Sequence, residues 1–375
     1  MIYKYLGDIA EIKGGKRMPK GTRLQQEKNQ HPYLRITDYD GKSFDRNSIR
    51  YVPDEVFEKI SNYTVTEGDI FLSIVGTIGI ATTIDKEYDN ANLTENAVKI
   101  IPDESVNSKY ILYFLQSMLG QRQMNELSVG STQKKLPIKN IKKIKILLPN
   151  LEIQNKVVSN LQILDKKIAL NNQINDNLDA LLTNIFKKYM INDGFEKSNL
   201  TQIANYKNGL AMQKYRPNSN EESLPVLKIK ELNQGNTDDS SDRCSANLDN
   251  SVIVNTGDII FSWSGTLLVK NWTGDKAGLN QHLFKVTSNK YPAWFIYEWT
   301  KYHLLRFQAI AAGKATTMGH IKRSDLKLSL VYIPSQLFLA KMDSQLAPIY
   351  SQRLNLIKEN QQLSKLKQTL LKKYF

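Results

Sequence analysis

The sequence has little that could carry covalent, redox or metal chemistry. One cysteine, Cys244, stands among 375 residues. A lone thiol excludes a disulfide framework and a cysteine-based zinc site, and it fits a reducing compartment. The four histidines, at 31, 282, 303 and 320, have no metal-ligand spacing. No P-loop and no glycine-rich dinucleotide turn occurs, nor the Asn-Pro-Pro-Tyr or Asp-Pro-Pro-Tyr segment of amino-methyltransferases. Asp325-Leu326-Lys327 matches half of a nuclease-type carboxylate–lysine pattern but lacks a leading acidic partner at suitable spacing. A non-catalytic chain is the expectation. No run of about 18 apolar residues is present, so no membrane span is expected. The segment Met1-Ile2-Tyr3-Lys4-Tyr5-Leu6-Gly7-Asp8 has no apolar core behind a basic stretch, so no signal peptide is expected and a cytoplasmic location is.

What is present is length, apolar content and positive charge. A chain of this size can hold two ordinary domains, and 41% hydrophobic residues fit a folded protein. The 51 Lys and Arg exceed the 37 Asp and Glu, for a net charge of +14. Phosphate is the usual partner of such an excess; solubility or a coding bias toward Lys and Asn is the plainer explanation. By segment the net charge is +4 in 1–150, +1 in 151–190, +4 in 191–334 and +5 in 335–375, so both halves are basic.

The chain also repeats itself. Leu6-Gly7-Asp8-Ile9-Ala10-Glu11-Ile12-Lys13-Gly14-Gly15 returns as Leu200-Thr201-Gln202-Ile203-Ala204-Asn205-Tyr206-Lys207-Asn208-Gly209, a shift of 194. Pro32-Tyr33-Leu34-Arg35-Ile36 returns as Pro225-Val226-Leu227-Lys228-Ile229. Gly68-Asp69-Ile70-Phe71-Leu72-Ser73-Ile74-Val75-Gly76-Thr77 returns as Gly257-Asp258-Ile259-Ile260-Phe261-Ser262-Trp263-Ser264-Gly265-Thr266. Residues 92–99 align with 278–285, and Lys187-Lys188-Tyr189 with Lys372-Lys373-Tyr374 at a shift of 185. Matches in one order with a slowly drifting shift mean two copies of one unit.

Each copy divides into a strand-rich part and a long helix, so the expected class is α+β. Gly-Asp before Ile-Phe-Leu or Ile-Ile-Phe reads as a turn entering a buried strand. Residues 108–125 read as one amphipathic helix, with apolar side chains at 111, 112, 114, 115, 118 and 119, and 292–312 as its counterpart. The expected domains are 1–150, a spacer helix over 151–190, 191–334, and a second spacer helix over 335–375. In the first helix Val157, Leu161, Leu164, Ile168, Asn171, Asn175, Leu178, Leu182 and Ile185 step by 4 and 3, a heptad rhythm. The second has Met342, Leu346, Ile349, Arg353, Leu356, Asn360, Leu363, Lys367 and Leu370. Pro348 suggests that regular helix begins there. An apolar stripe about 54 Å long cannot stay exposed, so the two helices are expected to pair as an antiparallel coiled coil. Asn171, Asn175 and Asn360 either fix its register or merely weaken it.

Candidate contact residues follow from clustered charge. Between 131 and 149 lie six lysines (134, 135, 139, 142, 143, 145) and no acid. The loop Gly130-Ser131-Thr132-Gln133-Lys134-Lys135, followed by Lys139, offers small donors and mobile cations suited to phosphate and base edges. Its counterpart holds Lys314, Thr316, Thr317, His320 and Lys322. An early loop carries Lys16, Arg17, Lys20 and Arg23, matched by Lys214, Tyr215 and Arg216. Trp263 belongs either to the core or beside the recognition loop.

Two basic domains, each followed by a long helix, resemble the specificity subunit of type I restriction–modification systems. The resemblance covers essentially the whole chain and rests on the paired segments 6–15 with 200–209, 68–77 with 257–266, on 279–285 and 130–136, and on the two helices. It implies that each domain reads one half of a split target in double-stranded DNA and that the helix pair sets the spacer, which half-sites roughly 34 Å apart would suit. It further implies docking to two methyltransferase subunits and to restriction/translocase subunits. S-adenosylmethionine and ATP with Mg would belong to those partners, and no cofactor to this chain. Copy one departs from copy two where Thr94-Glu95-Asn96 stands against Asn280-Gln281-His282. Two other readings stay open: a DNA-binding module of another phage-defence system without a methyltransferase, which co-purification would separate, and a protein-binding scaffold, which sequence-specific DNA binding would separate.

Overall fold

A computed structural model describes residues 2–39, 41, 43–131, 133–313 and 319–375. The chain forms two compact units, Met1–Lys166 with Ser364–Phe375, and Lys167–Leu363. Each holds one strand-rich globular part together with a stretch of each long helix.

Among the described residues the globular part of the first unit has nine strands: β1 (Ile2–Tyr5), β2 (Ala10–Gly14), β3 (Pro32–Leu34), β4 (Arg50–Tyr51), β5 (Ile70–Ser73), β6 (Ala81–Thr83), β7 (Asn92–Leu93), β8 (Ala97–Pro102) and β9 (Lys145–Leu148). They form a four-stranded sheet in the order β2-β8-β5-β6, a three-stranded sheet β4-β3-β7 and a ribbon β1-β9. The second unit has β10 (Glu196–Asn199), β11 (Asn205–Asn208), β12 (Ser223–Leu227), β13 (Arg243–Ser245), β14 (Ile253–Val254), β15 (Ile259–Ser262), β16 (Val269–Asn271), β17 (Ala277–Leu279), β18 (Leu283–Thr287) and β19 (Leu330–Ile333). Its sheets run β11-β18-β15-β16 and β13-β12-β17-β14, with a ribbon β10-β19. The two copies share one topology, including the parallel pairs β3-β7 and β12-β17, and the second adds β14.

The Gly-Asp segments show why these strands sit where they do. Gly68 and Gly257 take φ of +88° and +98°, a left-handed turn that admits glycine without a Cβ penalty. The next carboxylate closes the turn: Thr66 N donates to Asp69 Oδ2 and Asn255 N to Asp258 Oδ2, both at 2.8 Å. Lys99 and Lys285 pair with those carboxylates at 3.4 and 2.8 Å. Strands β5 and β15 then run fully buried, with Ile70, Leu72, Ile259 and Phe261 in the cores.

The expected single helices over 108–125 and 292–312 are each broken in two. The first divides into Ser108–Gln116 and Met118–Glu126, the second into Ala293–Tyr302 and Leu304–Ala312. At Ser117 the backbone is extended, and its hydroxyl accepts from Gly120 N at 3.1 Å, capping the second piece. The break turns Met118 and Leu119 outward, although periodicity places them on the buried face.

Within each unit a stretch of the central helix, Leu151–Met190, packs beside a stretch of the C-terminal helix, Gln336–Tyr374. Helix does not wait for Pro348, which lies inside the C-terminal helix on its exposed side. The Ser344 carbonyl that proline leaves without its N–H can there meet water. In the first unit Asn160 Nδ2 donates to Tyr374 Oη at 2.8 Å, and Lys367 pairs with Asp165 at 2.7 Å. In the second, Asn171 meets Asn360 at 2.9 Å and Arg353 pairs with Asp179 at 2.8 Å. Rising numbers on one helix meet falling numbers on the other, so the pairing is antiparallel. Val157, Leu161, Leu164, Leu346 and Leu356 are buried, while Ile168, Leu178, Ile349 and Leu363 are half-buried. Toward the helix ends burial shifts by one residue, to Phe186 beside Ile185 and to Leu371 beside Leu370. There the helix seam merges with a domain core: Phe186 packs edge-on to Trp299 at 5.0 Å in the cluster that also holds Leu346, and Leu371 joins the core of Tyr110 and Phe114 together with Leu161.

Polar groups pin the domains to the helices. Tyr113 Oη donates to Asp165 at 2.7 Å, and burial followed by that carboxylate pushes the phenol's pKa upward. In the second unit Asp179 takes Lys301, Arg353 and Tyr297 Oη. Glu298 lies buried beside them. Burial raises its pKa to about 7, against the opposing charge of Lys301 and the Thr183 hydroxyl. Among the described residues no helix is long and apolar enough to cross a membrane.

Candidate nucleic-acid interface

At one end of the sheets in each unit, five separate segments are tied together by backbone hydrogen bonds. In the first, Gly15 N donates to Ala97 O (3.1 Å), Lys16 N to Leu93 O (2.8 Å), Thr94 N to Leu34 O (3.2 Å), Ile74 N to Asn96 O (2.8 Å) and Leu136 N to Ile74 O (2.9 Å). In the second, the same five bonds run from Gly209 to Leu283 (3.0 Å), Leu210 to Leu279 (2.9 Å), Asn280 to Leu227 (3.1 Å), Trp263 to His282 (3.3 Å) and Ile321 to Trp263 (3.0 Å). Val75 bridges Lys135 as Ser264 bridges His320. The frame is therefore one frame, used twice.

Gly15 and Gly209 explain why the early loop cannot drift from it. A Cβ on Gly15 would lie 2.1 Å from Thr94 O and 2.3 Å from Leu93 O; one on Gly209 would lie 2.1 Å from Leu279 O and 2.3 Å from Asn280 O. Only a residue without a Cβ lets the chain pass that close.

The frame carries different side chains in the two copies. In the first it gathers exposed Lys16, Arg17, Lys134 and Lys135, with Glu95 and Asn96 between them. Among the described residues Lys16, Lys134 and Lys135 have no ion-pair partner, and Lys16 Nζ lies 5.4 Å from the Tyr63 ring. Arg17 is engaged: its Nε donates to Glu95 Oε1 at 2.6 Å. That bond and the neighbouring charge raise the Arg17 pKa. At Glu95 burial works against ionisation, but the hydrogen bond from Arg17 and those from its own backbone and Thr94 hold the carboxyl below its ordinary range.

In the second copy the corresponding places hold other polar and aromatic groups, Trp263, Ser264, Gln281 and His282. Ser264 Oγ lies 3.0 Å from His282 Nδ1, and Trp263 Nε1 donates to Gln281 O at 3.2 Å. The Trp263 ring lies 5.9 Å from His282, 6.3 Å from His320 and 5.8 Å from Phe284. It sits half-buried at the rim of the core, with the rings of His282 and His320 beside it.

Other expected contact residues lie outside this cluster. Lys20 and Arg23 are exposed on the connection between β2 and β3, and Lys139 is exposed on the short helix Ile138–Ile141. Ser131 and Gln133 are exposed beside the frame. Lys214, Tyr215 and Arg216 are exposed next to the β12–β13 sheet, where Ser245 N donates to Tyr215 O at 2.8 Å. Lys322 is exposed directly after Ile321 and takes Asp325 Oδ2 on its own N–H at 2.7 Å, so the Asp325 carboxylate caps the short helix Arg323–Lys327. Thr132, Lys314, Thr316 and Thr317 lie outside the described residues. Sequence reasoning singled out the charged loops but not Glu95, Asn96, Gln281 and His282 as site residues. The available signal was that the copies diverge there between matched neighbours.

A duplicated α+β domain with a polar, variable rim on a constant frame defines a modular recognition protein. The family model described as type I restriction modification DNA specificity domain matches residues 3–180 and 192–346, and the chain belongs to this family. It is 24% identical, over 404 aligned positions, to the type I restriction enzyme MjaIX specificity subunit of Methanocaldococcus jannaschii, across 99% of this chain and 91% of that protein. It is 25% identical over 179 residues to the EcoBI specificity subunit of Escherichia coli, across 46% of this chain and 37% of that one. The crystal structure of the type-I restriction-modification system S subunit from M. genitalium shares the fold, with a TM-score of 0.52 at 16% identity over 100% of this chain and 96% of that chain.

Proposed function

We propose that this chain reads a split target in double-stranded DNA, one half-site per domain, and directs methyltransferase and restriction/translocase subunits to it. The observation that carries this reading is the twice-used frame with different side chains on it. A constant backbone with variable polar tips is what reading two unlike half-sites requires, and exposed lysines beside it suit phosphate. Two linked domains multiply their specificities because the second contact is intramolecular. The helix pair sets the spacer between half-sites. It also offers a docking face: Leu170, Ile174 and Leu181 on the central helix are exposed at steps of 4 and 7. Two methyltransferase subunits are the proposed occupants of the helix pair. S-adenosylmethionine and ATP with Mg reside in the partners, this chain performs no chemistry, and it works in the cytoplasm.

The test is methylation mapping of DNA from cells carrying this chain with and without its neighbouring methyltransferase. A bipartite methylated motif that needs both is expected. A soluble complex that leaves no motif would move the function to a non-methylating defence or scaffold role.

A further inference from the structure

Arg17 and Glu95 form a built arrangement rather than a chance surface pair. Arg17 follows the segment that Gly15 locks onto β7, so its backbone origin is fixed. Glu95 is held from several sides: Thr94 Oγ1 donates to Glu95 Oε2 at 3.1 Å, and Tyr33 Oη lies 3.4 Å from the same oxygen while donating to Lys16 O at 2.7 Å. The Glu95 side chain is 30% exposed and the Arg17 side chain 79% exposed. The carboxylate is thus the fixed part and the guanidinium the part presented to solvent.

The contact uses only one edge of the guanidinium. Nε donates to Glu95, and no hydrogen bond among the described residues occupies Nη1 or Nη2. Those two nitrogens form the planar fork that matches O6 and N7 of guanine in the major groove. A carboxylate behind the other edge limits rotation of the fork and removes part of the ordering cost of binding. The fork alone would suit a phosphate equally; it is the buttress that fixes its direction, and among the described residues the neighbouring Lys134 and Lys135 have no such carboxylate.

The second copy sharpens the point. On the same frame, Gln281 stands where Glu95 does, and the shift that aligns Gly15 with Gly209 places Ala211 at the position of Arg17. The fork and its buttress are therefore missing together. We propose that Arg17, oriented by Glu95, reads a guanine in the half-site of the first domain, and that the second domain makes no equivalent contact. Glu95 is a positioning residue here and touches no base. This inference rests on the DNA-reading function proposed above.

The experiment is motif mapping with the full chain and its methyltransferase, comparing the natural sequence with Arg17→Ala, Arg17→Lys and Glu95→Gln. The natural chain is expected to require a G·C pair at one position of one half-site. Arg17→Ala is expected to make that position degenerate, with discrimination falling about 5- to 150-fold, while the other half-site is untouched. Arg17→Lys keeps the charge but not the fork, so it is expected to relax the same position and serves where the alanine variant gives no methylation. Glu95→Gln is expected to relax that position partially. An unchanged motif in Arg17→Lys overturns the inference, as does a uniform loss at all sites with every base preference kept, which would mark a phosphate contact. A natural chain that yields no motif would overturn DNA reading itself, and this inference with it.

Discussion

Lys134, Lys135 and Lys139 are exposed, close in sequence and free of ion pairs among the described residues. Cations of this kind bind phosphate by releasing condensed counterions, so their effect is largest at low salt and blind to sequence. Replacing all three with alanine is expected to weaken binding to specific and random DNA alike. The plot of log affinity against log salt should flatten by up to about 0.9 for each lysine that contacts a phosphate. Titrations at several salt concentrations measure this, and an unchanged slope would remove the loop from the phosphate contacts. Glu298 behaves differently because it is buried, with its pKa pushed up to about 7 from an ordinary 4.5. The folded form holds the proton more tightly than the unfolded form. Its stabilising contribution is therefore full below about pH 4.5 and is lost as pH rises through 7, with an upper bound on the order of 3 kcal/mol. Glu298→Gln cannot ionise, so its denaturation midpoint should exceed that of the natural protein at pH 8 and approach it at pH 5; equal midpoints at pH 8 would count against this account. The lysines were legible in the sequence because clustered charge is a local property. Glu95 and Gln281 were not, because their roles depend on which strands bring Gly15 and Gly209 alongside them.

The same logic separates elements that sequence reveals from those it hides. The long helices follow from uninterrupted heptad steps, and the Gly-Asp turns from a glycine that must take positive φ. The broken helices escaped the periodicity, since 3.6-residue spacing counts apolar residues and cannot see Ser117 turning its hydroxyl back to cap Gly120. Pro348 misled in the opposite direction: a proline inside a helix is tolerated when its unpaired carbonyl faces water. Gly15 offers a test at this scale. Gly15→Ala forces a methyl group into two carbonyl oxygens that belong to backbone, a displacement costing about 1–3 kcal/mol. The early loop should part from β7, and binding selections with the assembled complex should show one half-site degraded and the other intact. Full retention of both half-sites would mean that the loop takes no part in reading.

For the whole molecule, the helix pair makes a quantitative claim about the target. Asn171 donates to Glu359 at 2.7 Å and to Asn360 at 2.9 Å, while Asn360 Nδ2 reaches Asn172 at 3.0 Å. The buried Asn171 amide, which meets half-buried Asn360, penalises any slip of one helix along the other, whereas the Asn175 Oδ1 is buried without a partner among the described residues, so the register role falls to Asn171 and Asn360. A pair with a fixed register has a fixed length, and length can then be altered deliberately. One heptad inserted into each helix at facing positions keeps the seam in phase. It adds about 10 Å to each helix, which corresponds to about three base pairs at the 3.4 Å rise of DNA. Selection from a library with variable spacers should therefore return both half-sites unchanged and a spacer longer by roughly that amount. A single inserted heptad, placed in one helix only, should instead destroy selection for any spacer, because the asparagine contacts and the seam can no longer form together. Retention of the original spacer by the doubly extended protein would show that something other than the helices measures the gap.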